Sequence, residues 1–311
     1  MSVTVDQGWV IRFHDQIKLT YQTTEALLEN RIHPGMVHRD ISAAIDHHDR
    51  MGLVIARDVV DPFGAMTIDN PAHTRRAVTM QSSKGTVLVS DEHTLRSMTN
   101  PQSSYMQTIV GSLQRRKTKH IIDAATGSAT TASVTTGSGI VTYGSQILLS
   151  AHMIGGATAL DKARIDNANE LLSKAGVPPG QDRTFAYGPG QLRDILAITQ
   201  ATSSDFYRGE VIRDGTINGK FWAGFTFVEI PDVFNPDLTT AQAMLALSGT
   251  TRTCFAFHNT AIGVSSGRDI QSDIGPRRDL AGLPTQVDAR LMQAAVRVWE
   301  AGVVQVDALE N

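Results

Sequence analysis

The feature of this sequence that most constrains its fold is one long amphipathic helix signal. Asn100 is a suitable N-cap, Pro101 fits the first helical position, and Gly127 is a natural stop. Between them, the apolar residues at positions 105/106, 109/110, 113 and 121/122 mostly follow one stripe of a helix surface. The pattern therefore predicts a single helix over residues 101–125.

The segments before this helix predict an arm and an extended β excursion. Residues 1–50 alternate polar and apolar without a sustained period, which is typical of an arm that packs on something else. Two β-branched runs follow, MGLVIARDVV and RRAVTMQSSKGTVLVS, with turn signals between them and at Ser82–Gly85. They predict a β-hairpin with an open connection, which is marginally stable unless another surface covers it.

The rest of the chain predicts alternating helices and strands. Small polar residues at 127–139 indicate a loop or linker and a domain boundary. A helix is predicted at 158–175, followed by the strand TFAY and a helix in GPGQLRDILAI. Further strands are predicted in 216–231, which holds an Asn218-Gly219 hairpin turn, in 251–264, and on both sides of Ala301-Gly302. This order indicates an α/β or α+β architecture.

Composition limits the class of protein. A chain of 311 residues is long enough for about two domains, or one elaborate domain, with a large core. Hydrophobic residues make up 41% and charged residues 19%, too apolar for a disordered chain, and no apolar run approaches the roughly 20 residues of a membrane span. One cysteine, no signal-peptide pattern and a net charge of −3 predict a soluble protein of a reducing cytoplasm, with no demand for nucleic acid as the main partner.

Candidate catalytic and metal-binding residues are few. The run from Asp46 to Asp49 (Asp-His-His-Asp) is the most metal-like cluster, but only one or two of four consecutive side chains could converge on an ion. Cys254 and His258 would share one face of a strand about 13 Å apart, too far for a hydrogen bond. No nucleophile elbow, phosphate-binding loop or dinucleotide fingerprint is present in the sequence. We therefore expect no catalytic residue, metal site or cofactor.

The predicted long helix carries a basic run formed by Arg115, Arg116, Lys117 and Lys119, with no acid among them. Such a run could contact phosphates, or it could meet acidic neighbours in this chain or another. Its charges spread around more than half of the helix circumference, so they need not form one patch. Any contact with nucleic acid would be independent of base sequence, because no base-reading module surrounds the run.

The order and wording of several segments resemble one family. HTRRAVTMQ…DEHTLRSMTNPQSSY…RRKTKHIIDAATGSA (73–129) is similar to an extended loop that runs into a spine helix. LDKARIDNANELLSKAGVPPGQDRTFAYGPGQLRDIL (160–196) resembles the helix–strand–helix of an axial domain, and GEVIRDGTINGKFWAGFTFVEIPDVF (209–234) and CFAFHNTAIGVSS (254–266) resemble later strands. The family is that of the major capsid proteins of tailed double-stranded DNA bacteriophages, which share one fold with the herpesvirus shell floor.

The resemblance implies a specific division of an α+β fold. The N-terminal arm would be residues 1–48 and the extended β loop residues 49–90. A peripheral domain would combine residues 91–139, including the spine helix at 101–125, with residues 251–311. The axial domain would be residues 140–250.

The same resemblance implies a structural function without enzymatic activity. The protein would assemble as hexamers and pentamers into an icosahedral shell around packaged double-stranded DNA, with portal and scaffolding or decoration proteins as further partners and no membrane. It would be made in the host bacterial cytoplasm and reside in the virion. Arg75 and Arg76 would lie at a loop interface, and the basic run would face a neighbouring subunit or DNA. Lys84 lies near the base of the loop, which argues against the covalent Lys–Asn links of some relatives.

Three alternatives remain open on the sequence alone. The first is the shell protein of a non-viral nanocompartment with the same fold. The second is a cytosolic hydrolase-like enzyme that uses His47, His48 or Cys254, which predicts a pocket with convergent polar groups. The third is a nucleic-acid-binding protein that acts through residues 115–120 as a monomer or dimer.

Overall fold

The computed structural model shows an α+β fold. It describes residues 25–58, 68–89, 102–134, 141–156, 158–202, 215–232, 243–280 and 282–310. The α-helices of these residues are α1 (Gln102–Thr126), α2 (Lys162–Lys174), α3 (Pro189–Leu196) and the single turn α4 (Thr199–Thr202). Short 3-10 turns cover Glu29–Arg31, Pro34–Met36, Ser150–His152 and Glu300–Gly302.

The described strands form three sheets. The platform sheet has the order β1 (Val37–His38), β13 (Ile262–Pro276), β14 (Thr285–Arg297), β4 (Ser82–Val89). The mixed sheet has the order β7 (Met153–Ile154), β15 (Val303–Leu309), β12 (Thr251–His258), β8 (Arg183–Tyr187), β10 (Phe225–Glu229), β9 (Phe221–Trp222), with β11 (Leu247–Ser248) beside β12. The loop sheet has the order β2 (Ile45–Met51), β3 (His73–Thr79), β5 (Ala129–Val134), β6 (Val141–Gln146).

The mixed sheet is buried on both faces. Alternate residues of its strands point to opposite sides, and a different part of the chain covers each side. One face packs against α2 and α3, with contributions from Phe185, Phe225, Phe227, Ile165, Leu172 and Ile195. The other face packs against the C-terminal half of α1 and the chain around residue 30, with contributions from Phe255, Phe257, Val228, Ile121 and Leu28. The β8–β10 pair is parallel, whereas β12 is antiparallel to β8 and β15. This sheet is the core on which the long helix rests.

The N-terminal half of α1 packs on the platform sheet. Ile109 and Leu113 form one cluster with Val287 and Leu291 of β14. The approach is so close that a Cβ atom added at Gly85 of β4 would lie 2.6 Å from the Cγ2 atom of Ile109. A side chain at this point of β4 would force Ile109 to move, so glycine allows this close packing of the helix on the sheet.

Arg297, at the end of β14, closes the C-terminus of α1. The Nη1 atom of this fully buried side chain donates to the carbonyl oxygens of Ala125 at 2.9 Å and Gly127 at 2.7 Å. The last carbonyl groups of a helix have no partner within the helix and carry a partial negative charge. The guanidinium group satisfies these carbonyls and supplies the positive charge that the helix end favours.

The helices predicted from local sequence are confirmed with small shifts of their ends. The helix predicted at 101–125 is α1, that at 158–175 is α2, and that in GPGQLRDILAI is α3. The predicted strand TFAY is β8. These segments have start and stop signals and periodic apolar residues in their own sequence, and Asp161 caps α2 by accepting from the backbone N–H of Arg164.

Several strand predictions need correction because pairing with distant strands decides them. Residues 129–134, predicted as part of a linker, form β5 between β3 and β6. Of the predicted strand MGLVIARDVV (51–60), only Met51 lies in a strand, as the last residue of β2; Gly52–Asp58 form no strand, and residues 59 and 60 lie outside the described residues. The second predicted run splits at Met80-Gln81 into β3 and β4, and β4 contains the predicted turn Ser82–Gly85 because it pairs with β14 along its whole length.

Two predicted turns also differ from the structure. Asn218-Gly219 is a turn, but the hairpin of β9 and β10 closes at Ala223-Gly224, where both residues have positive φ, +48° and +87°. The strand predicted over 251–264 is broken at Asn259-Thr260, which separates β12 from β13. In both places the turn lies between two strands that have different pairing partners, which local sequence does not show.

The sheets cross two of the predicted domain boundaries. β2 spans residue 48, which was predicted as the end of the arm. β12 and β15 were predicted with the peripheral domain, but inside the mixed sheet β12 pairs with β8 on one side and with β15 on the other. Residues 251–258 and 303–309 thus share a sheet with strands from the predicted axial domain.

Candidate functional site

The base of the extended loop carries two adjacent arginines with different surroundings. Arg75 and Arg76 follow each other in β3, so their side chains point to opposite faces of the loop sheet. Arg75 is half exposed and its Nε atom lies 2.6 Å from the Oδ1 atom of Asp49. Arg76 is fully buried and donates to the Oε1 atom of Glu300 at 2.9 Å. Only Arg75 is therefore placed at a surface.

Glu300 holds two buried guanidinium groups together. Its Oε1 atom accepts from Arg76, and its Oε2 atom accepts from the Nε atom of Arg297 at 2.6 Å. Burial lowers the pKa of Arg76 from its usual value, and the nearby cations Arg50 and Arg297 lower it further, while Glu300 opposes them. One buried carboxylate thus links the loop sheet to the end of β14, where Arg297 closes α1.

The basic run of α1 does not form one open patch. Arg115 and Lys117 are buried, and Lys119 has 19% of its side chain exposed. The Nζ atom of Lys117 lies 2.6 Å from Asp269 and 3.3 Å from Glu29. Lys119 pairs with Asp123 one turn later at 2.8 Å. Two of the four predicted residues therefore meet acidic groups of their own chain, which was one of the two interpretations of the sequence.

His120, on the same helix, was not identified from the sequence. Burial lowers its pKa to about 4, with a further contribution from Arg116, so its imidazole is neutral at pH 7. The side chain lines a cleft of about 240 Å³ between α1, β3 and β14. A histidine beside a basic run gives no sequence signal that distinguishes it from a surface residue.

Two of the four residues in the Asp46–Asp49 run converge, as their spacing in a strand allows. Asp46 and His48 lie on the same face of β2, and His38 of β1 joins them. The Nδ1 atom of His38 is 2.6 Å from the Oδ2 atom of Asp46. The hydroxyl group of Ser265 donates to Asp46 at 2.7 Å and lies 3.0 Å from the Nε2 atom of His48. His38 could not be found from sequence because its position depends on the pairing of β1 with β13.

This cluster has donor atoms for a metal ion but not the geometry. One ligand atom from each of His38, Asp46 and His48 lies within 4.8 Å of the others. The two imidazole rings, however, are stacked with centroids 4.1 Å apart and planes 11° apart. An ion lies close to the plane of each imidazole that binds it, and two rings stacked face to face at this distance cannot both have one ion in their planes. The arrangement is a hydrogen-bonded network, in which burial and the neighbouring His38 lower the pKa of His48 to about 4.

Cys254 and His258 do not form a nucleophilic pair. Cys254 is fully buried in β12, and this burial raises the pKa of its thiol to about 12. His258 interacts instead with the hydroxyl group of Thr260, at 2.9 Å. A cleft of about 560 Å³ is lined by residues 40–44, Ser82 and parts of β13 and β14, and it contains neither of these residues nor His47 or His48.

The strongest surface signal is apolar. Leu53 is 97% exposed, and its neighbours Met51, Val54 and Ile55 are also exposed. Met51 is the last residue of β2, and Leu53, Val54 and Ile55 follow it in a part of the extended loop without secondary structure. Exposed apolar segments of this kind mark interaction sites. Among the described residues, no helix combines the length and the apolar character that crossing a bilayer requires.

Comparison with known proteins agrees with this picture. A family model described as "Phage capsid protein" matches residues 5–310. No curated protein sequence gives a match. The fold is similar to the head structure of the Helicobacter pylori bacteriophage KHP40 (TM-score 0.71, 7% identity, covering 100% of this chain and 99% of that chain). It is also similar to the capsid of the cyanophage P-SCSP1u (TM-score 0.70, 14% identity, covering 97% and 94%) and to that of the cyanophage Pam1 (TM-score 0.69, 11% identity, covering 97% and 97%).

Proposed function

Because the chain belongs to the phage capsid protein family, we propose that its copies assemble as hexamers and pentamers into an icosahedral shell around packaged double-stranded DNA. The observation that carries this proposal is the family match, which extends over residues 5–310 and includes the loop, α1 and all three sheets. Rings of one chain close a shell through repeated head-to-tail contacts, so the function depends on surfaces rather than on a catalytic centre.

The surface of a single copy supports this proposal. The segment around Leu53 exposes consecutive apolar side chains that nothing in the described chain covers. A second copy is a partner that a shell protein always has nearby. The net charge of −3 also lets many copies approach one another without strong repulsion.

We propose that the protein has no enzymatic activity and needs no metal or cofactor. The thiol of Cys254 stays protonated inside the mixed sheet, and His48 is neutral in a hydrogen-bonded network. Neither residue lines the cleft next to β13 and β14. These observations give the hydrolase-like alternative no support.

The further partners are proposed on the basis of the family. A portal protein and scaffolding or decoration proteins would complete the particle, which would assemble in the host bacterial cytoplasm. We propose Arg75 as a loop-interface residue. Arg76, its neighbour in β3, would hold the base of the loop in place through its buried ion pair with Glu300. Of the basic run, the partly exposed Arg116 and Lys119 are proposed to face a neighbouring subunit or DNA phosphates, without base specificity, whereas Arg115 and Lys117 are buried within the chain.

The proposed domain division follows the sequence with one change. The arm is residues 1–48, the extended loop 49–90, and the axial domain begins at residue 140. The peripheral domain combines α1 with β13 and β14, while β12 and β15 are assigned to the axial side because β12 pairs with β8 and β15 pairs with β12.

Negative-stain electron microscopy of the purified protein tests the shell directly, after size-exclusion chromatography at two salt concentrations. We expect closed shells, tubes, or rings of five or six subunits. A monomer or dimer that never assembles, even with crowding agents or high salt, would contradict the proposal. Shells isolated from the natural source with an enzyme cargo, and without portal or DNA, would instead indicate the nanocompartment.

A further inference from the structure

The region between α1 and α2 has an unusual composition for an exposed part of a protein. Residues 124–160 contain no aspartate, glutamate, lysine or arginine. This stretch nevertheless includes β6, in which Val141 to Ser145 are all exposed. An exposed surface without charge is readily buried by a partner, because no charged group has to leave water.

Exposed apolar side chains in this region recur at odd-numbered positions. They form what we term the apolar stripe, which consists of Val141, Tyr143, Ile147, Leu149 and Met153, between 38% and 72% exposed. The residues Leu148 and His152 point inward and are buried. These inward side chains anchor the segment to the body of the protein, so that the stripe faces outward.

β6 also lies at the edge of the loop sheet. It pairs with β5 on one side, and no strand of the described residues pairs with its other side. The edge of a sheet presents a row of backbone N–H and C=O groups that can accept another strand. An exposed edge next to an apolar stripe can therefore bind an extended apolar segment through backbone and side chains together.

The chain contains a segment of this kind at residues 51–55, with the sequence MGLVI. It continues from β2 along one side of the extended loop. Two contacts with the other side of the loop hold it in place: Gly52 donates to the carbonyl oxygen of Ala72 at 2.8 Å, and Arg57 pairs with Asp69 at 2.8 Å. Like the apolar stripe, it carries no charge.

The segment cannot reach β6 of its own copy. β2 and β6 form opposite edges of the loop sheet, with β3 and β5 between them. Three strand spacings of about 4.8 Å therefore separate the two edges by roughly 14 Å. The two uncharged apolar surfaces therefore lie apart in the folded copy, and a contact between them in two different copies runs head to tail and can repeat until a ring closes.

We propose that residues 51–55 of one copy bind along β6 and the apolar stripe of the next copy, a contact that rests on the proposed shell function. Backbone hydrogen bonds to the edge of β6 give the contact its direction. In an added strand, Leu53 and Ile55 would share one face, and that face would cover Val141 and Tyr143.

Cysteine cross-linking tests the contact in assembled particles. The native thiol of Cys254 is fully buried and protonated, so it does not interfere. Leu53→Cys is combined in one chain with Val141→Cys, Tyr143→Cys or Ile147→Cys, and each double variant is oxidised mildly after electron microscopy has confirmed shells. We expect at least one pair to give a ladder of linked subunits on non-reducing gels, and the single variants to give none.

The matched control combines Leu53→Cys with Leu283→Cys. Leu283 is 54% exposed beside the β13–β14 hairpin, which makes it as accessible as the stripe residues. Intact shells in which no stripe pair cross-links, or in which only the Leu283 pair does, would overturn the proposed contact and leave the shell function standing. A wild-type protein that forms no shells would instead overturn the proposed function.

A second variant tests the same surface without oxidation. Ile147 is 72% exposed, so Ile147→Asp leaves the folded subunit intact while placing a charge in the apolar stripe. We expect at least a tenfold loss of assembled particles at equal protein concentration, and no loss for Leu283→Asp. Unchanged assembly of Ile147→Asp would contradict the proposal.

Discussion

The mixed sheet and the loop sheet have opposite relations to solvent. In the mixed sheet, Phe185, Phe227 and Phe257 are fully buried and both faces are covered by the chain itself. In the loop sheet, β6 is exposed almost along its whole length and the segment after β2 leaves Leu53 at 97% exposure. One sheet is thus covered on both faces by its own chain, whereas the other keeps, within the described residues, an open edge and an exposed apolar segment that we propose a second copy covers. Stability and assembly should therefore depend on different residues.

The largest effect is expected in the mixed sheet. Phe257→Ala removes a fully buried ring from the side of the sheet that faces α1. We expect a loss of about 3–5 kcal/mol in the free energy of unfolding, because the ring leaves a cavity behind. Urea unfolding of the unassembled subunit measures it. A loss below about 1 kcal/mol would mean that this sheet is less closely packed than the loop sheet, and the comparison would fail.

A similar but smaller loss is expected where the loop sheet joins the body. Glu300→Gln leaves the buried guanidinium groups of Arg76 and Arg297 without their carboxylate, which should cost about 3 kcal/mol. The control is Asp49→Asn, which breaks the exposed pair with Arg75 and should cost less than about 1 kcal/mol. Equal costs in the same unfolding assay would show that Glu300 does not hold a buried cluster together.

Acid should weaken the fold through its buried histidines. The folded-state pKa of His48 and of His120 is about 4, because burial disfavours their charged forms. The unfolded chain, with a pKa of about 6.5, takes up these protons first as the pH falls, so stability is lost between pH 6.5 and about 4. From pH 7.5 to pH 5 we expect a loss of about 2 kcal/mol for each histidine.

Substitution separates this effect from other acid effects. His48→Gln should flatten the decline by its own share in a series of urea unfolding experiments from pH 7.5 to pH 5, and His48→Gln with His120→Gln should flatten it further. A decline of unchanged steepness in the double variant would show that other groups cause it.

The smallest effect on stability is expected at the most exposed residue. Leu53→Ser should change the free energy of unfolding by less than about 0.5 kcal/mol, because the side chain is 97% exposed in one copy. The same variant should assemble poorly, as measured by the yield of particles in electron microscopy. Normal assembly together with unchanged stability would show that Leu53 contributes to neither property, and would contradict a role of the loop sheet in assembly at this residue.

Local sequence was sufficient for the helices and insufficient for the sheets. The sequence of α1 and its flanks has start and stop signals, among them the candidate N-cap Asn100 and Gly127, so its bounds could be predicted. β5 looks like a linker because it consists of small polar residues, and only its pairing with β3 and β6 makes it a strand. β4 likewise contains turn signals, which its ladder with β14 overrides.

The candidate site shows the same limit. The sequence identified Arg75 and Arg76 as one pair, but it could not tell which of them faces Glu300, more than 200 positions later. It identified Asp46 and His48 but not His38, because that residue depends on the contact of β1 with β13. Lys117 had two open interpretations until the structure placed Asp269 beside it. Charge and spacing are local properties, whereas partners are set by the tertiary fold.

Arg297 also gives the molecule a route for mechanical force. Its guanidinium group donates to the end of α1, to the carbonyl oxygen of Gln146 at the end of β6, and to Glu300, which also accepts from Arg76 of β3. A pull on the extended loop therefore passes through β3 and two short ion pairs into the axis of the long helix. Tension between neighbouring copies would be carried by this buried chain of charges, and the helix would respond to it as a stiff rod.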